Sequence, residues 1–128
     1  MTDPVVISML PPCRMLNMNH RLHWAKKAEL TRTWRTAGFA AALVAKIARG
    51  ITYPFGPSTV SIALPVASLN VKRDPSNWYP TIKAIVDGLT DAGCWPDDNA
   101  DWVATTEPTF HRSADLAHVV VTIKERQP

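Results

Sequence analysis

Apolar and polar residues alternate over residues 59–64, where Val60, Ile62 and Leu64 interleave with Thr59, Ser61 and Ala63. This period of two marks a half-buried β-strand. "VVISML" (5–10) predicts a shorter strand, closed by Pro11 and Pro12. Between them the period changes. From Arg21 to Arg49 the residues Trp24, Ala28, Thr31, Trp34, Ala41, Val44, Ala45 and Ala48 fall near one helical face. Gly38 is a point where that helix could bend or split, and "GITYPFGPS" reads as the loop that follows.

A second helix is predicted from Tyr79 to Ala92. Ser76 or Asn77 would cap it, Pro80 suits its first turn and Gly93 ends it. Its apolar stripe is Ile82, Ile85, Val86 and Leu89, while Lys83 and Asp87, four apart, share another face. Two further strands follow in "WVATTEPTFH" and "HVVVTIKE", the latter with Val119, Val121 and Ile123 on one side, and they are expected to pair antiparallel. The order β-α-β-α-β-β, without repeats, predicts one α+β domain over 1–128, helices packed on a mixed sheet.

Composition narrows the class. At 128 residues, 46% hydrophobic and 20% charged, the chain supports a single packed core. Two cysteines, Cys13 and Cys94, make no disulfide framework and point to a reducing cytosol. "MTDPVVISML" lacks a basic, secretory-type leader, and Lys46 interrupts the longest apolar run, "GFAAALVAKIARG", short of a bilayer span. The expectation is a cytoplasmic protein without a membrane partner.

The net charge of +3 is unevenly distributed. Residues 1–64 carry eight Lys/Arg against two acids, a balance of +6, and residues 65–128 carry six against nine, a balance of −3. A basic half beside an acidic half suits a protein that grips a polyanion and holds a cation; a solvated helix face would give the same totals.

Carboxylates stand at both ends of the second helix, in "RDPSNWYPTIKAIVDGLTDAGCWPDD". A helix of roughly 14 residues is about 20 Å long, so Asp74 and Asp98 converge only if a flanking segment folds back. Otherwise Asp74-Pro75 and Asp97-Asp98 are turn residues. His20 and His23 are spaced as an H-x-x-H metal pair, with Cys13 as the one nearby further ligand; phosphate contact or helix capping are the alternatives. Trp78 and Trp95 flank the acidic motifs and are candidates for stacking on unpaired bases. The remaining tryptophans read as core or interface residues.

This stretch resembles the signature of RusA-like Holliday junction resolvases: R-D-x-D-N, then a helix with K-x-x-x-D-x-L, then A-G and a terminal D-D. "NMNHRLHWAKKAELTRTWR" is similar to that family's opening, and the resemblance covers about residues 17–103. It implies a small homodimeric endonuclease of a bacterial host or its phage. Such an enzyme uses Mg²⁺, with Mn²⁺ able to substitute, to nick branched DNA, specifically four-way junctions. Carried over, the resemblance gives Asp74, Asp98 and Lys83 catalytic roles and makes Asp74, Asp98, Asp97 and Ser76 the metal set. Asn77 would orient the loop. Arg14, Arg21, Lys26, Lys27, Arg32, Arg35 and Arg73 are the candidate phosphate contacts. Two departures stand out. Ser76 occupies the place of the family's second aspartate, and the lead-in from Asp74 to Lys83 is lengthened by "WYP". A serine hydroxyl can ligate Mg²⁺ but brings no charge. Two rival readings remain: a junction-binding protein with reduced cleavage, and a small α+β interaction domain with merely solvated charges.

Overall fold

The computed structural model describes residues 3–112 and 118–126. Strand β1 (Val5–Met9) leads to helix α1 (Trp24–Arg49) and strand β2 (Ser58–Val66). A 3-10 turn (Pro75–Trp78) runs into α2 (Tyr79–Asp91), and β3 (Val103–Thr105), β4 (Thr109–Arg112) and β5 (Val119–Glu125) complete a mixed five-stranded sheet. The α+β expectation is met at this level, with one strand more than predicted.

The extra strand comes from a break. β3 and β4 both run parallel to β2, pairing with its first and last residues respectively, so they form one interrupted edge strand. Pro108, which has no N–H for a ladder, lies in the gap. The expected closing antiparallel pair is also corrected. β5 pairs antiparallel with β1 and with β2, so β2 separates β5 from β3 and β4. β5 is the most apolar of the late strands, and the centre of the sheet buries it better than an edge would.

One sheet face is buried: Ile7 and Met9 of β1, Val60, Ile62 and Leu64 of β2, and Val119, Val121 and Ile123 of β5. Residues between them, such as Ser61 and Thr122, are exposed or half-buried, as period two requires. The helices complete the core. On α2 the expected stripe is found, with Ile82, Ile85, Val86 and Leu89 all buried.

On α1 the expected face is rotated. The buried residues are Leu30, Trp34, Gly38, Ala42 and Ala45, whereas Trp24 and Val44 are 76% and 64% exposed. Gly38 does not split the helix, which runs unbroken from Trp24 to Arg49. It is where α2 crosses: a Cβ on Gly38 would lie 2.7 Å from the Ile85 carbonyl oxygen, and one on Gly88 would lie 2.8 Å from the Phe39 nitrogen. The two glycines set the rotation, because only that side of α1 lets the backbones approach so closely. α1 starts at Trp24, later than the periodicity indicates, since the His23 ring accepts the Ala25 N–H at 3.2 Å and caps the helix.

Candidate functional site

The 3-10 turn before α2 is built by Asp74. Its Oδ1 accepts the Ser76 backbone N–H at 3.2 Å and the Ser76 hydroxyl at 2.8 Å. Asp74, not Ser76 or Asn77, is therefore the cap, and α2 itself has no side-chain cap. The Ser76 hydroxyl spends its proton on Asp74, which leaves its oxygen lone pairs open. At the other end, Gly93 adopts φ +96°, a conformation that favours glycine, and the Cys94 N–H returns to the Leu89 carbonyl at 3.1 Å. That reversal sends residues 94–101 back along α2.

The return brings Asp98 to Lys83. The Lys83 ammonium donates to Asp87 Oδ1 at 2.8 Å, one helical turn on, and also to Asp98 Oδ2. Lys83 is the fifth residue of α2 and its ammonium reaches forward to Asp87, so Asp98 meets it alongside the helix and not beyond its end. Two carboxylates thus converge on one cation. Asp97 shapes the turn: its Oδ1 accepts the Asp98 N–H at 2.7 Å, and its Oδ2 accepts the Asn99 amide at 3.1 Å.

Charge coupling follows from the geometry. The Lys83 hydrogen bond holds the Asp98 carboxyl down to about 2, well below the usual carboxylate range. Burial opposes the charge on Lys83, but its bonds to Asp87 and Asp98 outweigh that and lift the ammonium to about 12. A depressed carboxylate contributes stability above its ordinary value near 3.8 and loses it as pH falls towards 2. Lys83→Met is therefore expected to lower Tm by a small, constant amount from neutral pH down to about 4, the gap closing by about pH 2. The pair is partly exposed, so its contribution at neutral pH is at most about 1 kcal/mol. Melting curves of both proteins across pH check this, and a gap that persists at pH 2 would place the effect outside the ion pair.

The basic residues divide into engaged and free. Arg35 forks Asp91 with bonds of 2.6 and 2.8 Å, tying α1 to the end of α2; the pair raises the arginine and lowers the Asp91 carboxyl. Arg73 donates to the Ser68 carbonyl at 2.8 Å and lies 5.5 Å from the Phe110 ring centroid, pinning the loop after β2 to β4. Arg14 reaches His20 Nδ1 at 3.1 Å, and Lys26 makes an exposed 3.7 Å pair with Glu29. Of the seven candidate phosphate contacts, Arg21, Lys27 and Arg32 form neither an ion pair nor a side-chain hydrogen bond among the described residues, so they are the ones open to an outside phosphate.

Several sequence expectations are reassigned. Trp95 is 2% exposed and donates its indole N–H to Ser58, so it is a core residue and no stacking platform. Trp78 packs edge-on against Phe110 at 5.2 Å. The open indole is Trp24, which the helical period had placed in the core. The H-x-x-H pair is not assembled as a metal site: His23 caps α1 and His20 holds Arg14. Burial also raises the Cys13 thiol, the reverse of what a thiolate ligand needs.

The donor set fits a hard divalent cation in kind, since every candidate is a carboxylate or hydroxyl oxygen. Geometrically, the described residues contain no group of three or more His, Cys, Asp or Glu that could hold one metal ion. Asp74 and Ser76 form a polar pair at the start of the 3-10 turn, and Lys83, Asp87 and Asp98 form a cluster of three. Sequence reasoning treated Asp87 merely as a helix partner of Lys83; its i, i+4 spacing was the available signal, and Asp98 shares the same ammonium. Among the described residues no helix is long and apolar enough to cross a membrane. No protein-family model matches the chain, and no curated protein matches it, so a functional reading rests on these residues and their geometry.

Proposed function

We propose that this protein is a structure-specific endonuclease that nicks four-way DNA junctions, acting as a homodimer with Mg²⁺. The observation that supports the reading is the return of Asp98 along α2 to Lys83, which brings the carboxylate at the end of the motif to the cation of its central helix. Asp74 and Asp98 would hold the metal, with the Ser76 oxygen as a neutral additional donor. Mg²⁺, held there, would supply Lewis acidity towards the phosphoryl group and would activate water for attack. Lys83, beside Asp98, would stabilise negative charge on the phosphate in the transition state. Arg21, Lys27 and Arg32 would hold the DNA through its backbone, which positions the junction without reading bases. Incubation of a labelled four-way junction with and without Mg²⁺ tests the proposal: symmetric nicks in its presence support it. If neither Mg²⁺ nor Mn²⁺ yields nicks from a protein that binds the junction, the reading of a nuclease fails.

A second reading is favoured by the Ser76–Asp74 hydrogen bond, which gives the serine a role in the turn alone. In that case the protein binds junctions and cleaves them poorly. Ser76→Asp separates the two. As a metal ligand the new carboxylate is expected to lower the Mg²⁺ concentration needed for nicking and to lower Tm without metal, through repulsion from Asp74. As a turn residue alone it leaves both Mg²⁺ titrations superimposed.

Junction affinity is expected to fall steeply with salt, log K declining at roughly −0.9 per phosphate neutralised. Lys27→Ala and Arg32→Ala should each flatten that slope by about one. Arg35→Ala, which breaks the fork to Asp91, should instead lower stability and leave the slope nearly unchanged. A slope that responds to Arg35 and ignores Lys27 and Arg32 would move the DNA surface off this part of α1.

A further inference from the structure

β1 forms one edge of the sheet: among the described residues its sole partner strand is β5. The direction of its backbone groups follows from the ladder. The Arg126 N–H donates to the Pro57 carbonyl at 2.7 Å, so the residues of β5 that face β2 are those in step with Arg126, namely Val120, Thr122 and Lys124. Val119, Val121 and Ile123 therefore face β1, opposite Met9, Ile7 and Val5. Those three residues of β1 spend their N–H and C=O on β5, and Val6 and Ser8 turn theirs outwards. The Arg49 guanidinium donates to the Val6 carbonyl from that outer side. A carbonyl oxygen has two lone pairs, so a second bond stays open there.

This edge lacks the usual guards against pairing. "VVISM" contains no charge and no proline, and its register with β5 is unbroken. The opposite edge is two short strands interrupted around Pro108. Helix α1 runs beside β1, and between them lies an open groove of about 270 Å³ lined by Val6, Ser8, Ala41, Val44 and Ala48. Val44 is exposed, and Ile47, three residues on, is 82% exposed, more than any other large apolar side chain among the described residues. Single exposed apolar residues need no explanation, but here a strip of them borders unpaired backbone.

We propose that this surface joins two copies of the chain: β1 pairs antiparallel with β1 of a second copy, and the α1 faces carrying Ala41, Val44 and Ile47 close over the seam. Symmetry argues for a second copy as the occupant. With Val6 opposite Ser8 of the second copy, and Ser8 opposite its Val6, each outward N–H meets a carbonyl. The two-fold axis then passes at Ile7, the middle residue of the strand. The same axis brings the two α1 helices together on one face of a continuous sheet, apolar side to apolar side, and no like charges meet along the strands. The inference rests on the nuclease reading only for the homodimer, to which it gives an interface; pairing requires no cleavage.

Sedimentation equilibrium of the full chain over a dilution series tests this, with circular dichroism to confirm folding. Wild type is expected at twice the mass of one chain. Val44→Glu alters a side chain that is exposed in the single copy, yet it puts two unpaired carboxylates into the seam. It should weaken association by about a hundredfold or more. Ser8→Pro removes an N–H that points away from β5, a change that a sheet edge tolerates. It should dissociate the pair, whereas Ser8→Ala should not. Leu69→Glu, at an exposed position in the loop that Arg73 pins to β4, should leave the mass unchanged. A monomeric wild type overturns the proposal and leaves the edge to a strand of another protein. A dimer that survives both Val44→Glu and Ser8→Pro overturns it too. A dimer that never nicks junctions would sink the nuclease and leave the interface standing; nicking by a monomer would do the reverse.

Discussion

Asp98→Asn is expected to reduce junction nicking by about a hundredfold or more, the scale of losing one principal electrostatic group from an active site, while junction affinity stays the same or rises slightly. Asp74→Asn should behave alike. Each substitution removes a charge that a hard cation requires and keeps the size of the side chain. Neither removes a phosphate contact, and the loss of a negative charge near the DNA relieves repulsion. The two variants nevertheless differ in a way that guards against a folding artefact. Asp98→Asn gives up an ion pair with Lys83, whereas Asp74→Asn keeps an acceptor for the Ser76 N–H and hydroxyl, so the turn survives. Asp74→Asn should therefore melt close to wild type and still fail to nick. Nicking rates on a labelled junction, with affinity measured in the absence of metal, check both halves of the expectation. Full cleavage by both variants would remove the two aspartates from the chemistry.

Gly88→Ala should destabilise the protein by about 3 kcal/mol or more, against the usual sign of this substitution within a helix. Alanine is favoured over glycine in a helix interior by about 1 kcal/mol, and on propensity alone the change would stabilise α2. The crossing with α1 reverses this. A Cβ at Gly88 would overlap the Arg35 carbonyl oxygen and come 2.8 Å from the Phe39 nitrogen. Both are backbone atoms of a helix and cannot rotate aside, so relief requires that the helices separate and open the core around Trp34 and Ile85. Overpacking commonly costs about 1–3 kcal/mol where side chains can adjust, and more where they cannot. For a domain of this size the expected fall in Tm is about 10 °C or more. Gly38→Ala meets the Ile85 carbonyl oxygen at 2.7 Å and should follow in the same direction to a smaller extent. Ala40→Gly, on the exposed side of α1, gives the propensity effect alone and should cost about 1 kcal/mol. A Gly88→Ala protein that melts at or above wild type would mean that the helices do not cross at this contact.

Both site and crossing show where local information stops. The alternation of Val60, Ile62 and Leu64, and the stripe of Ile82, Ile85, Val86 and Leu89, were enough to place a strand and a helix and to name their buried faces. Those signals are local because each residue's burial follows from the period of its own element. Gly93 as the end of α2 was equally legible, since a residue with positive φ is required there. The amphipathic signal of α1 was ambiguous. Eight of its 26 residues are alanine, and hydrophobicity alone does not distinguish one small apolar face from another. The close approach of Gly88 chose the Leu30–Trp34–Gly38–Ala42 side and left Trp24 and Val44 outside. Strand partners were beyond the sequence for a similar reason. β5 finds both β1 and β2 through contacts distant in the chain, and a period of two carries no information about which strand lies alongside. The order of the acidic residues along the chain was plain, but their grouping was not. The Gly93 reversal carries Asp98 back to Lys83, whereas Asp74 turns inward on Ser76. Spacing fixes which residues share a helix face; only the path of the loop decides which carboxylate reaches that face from outside.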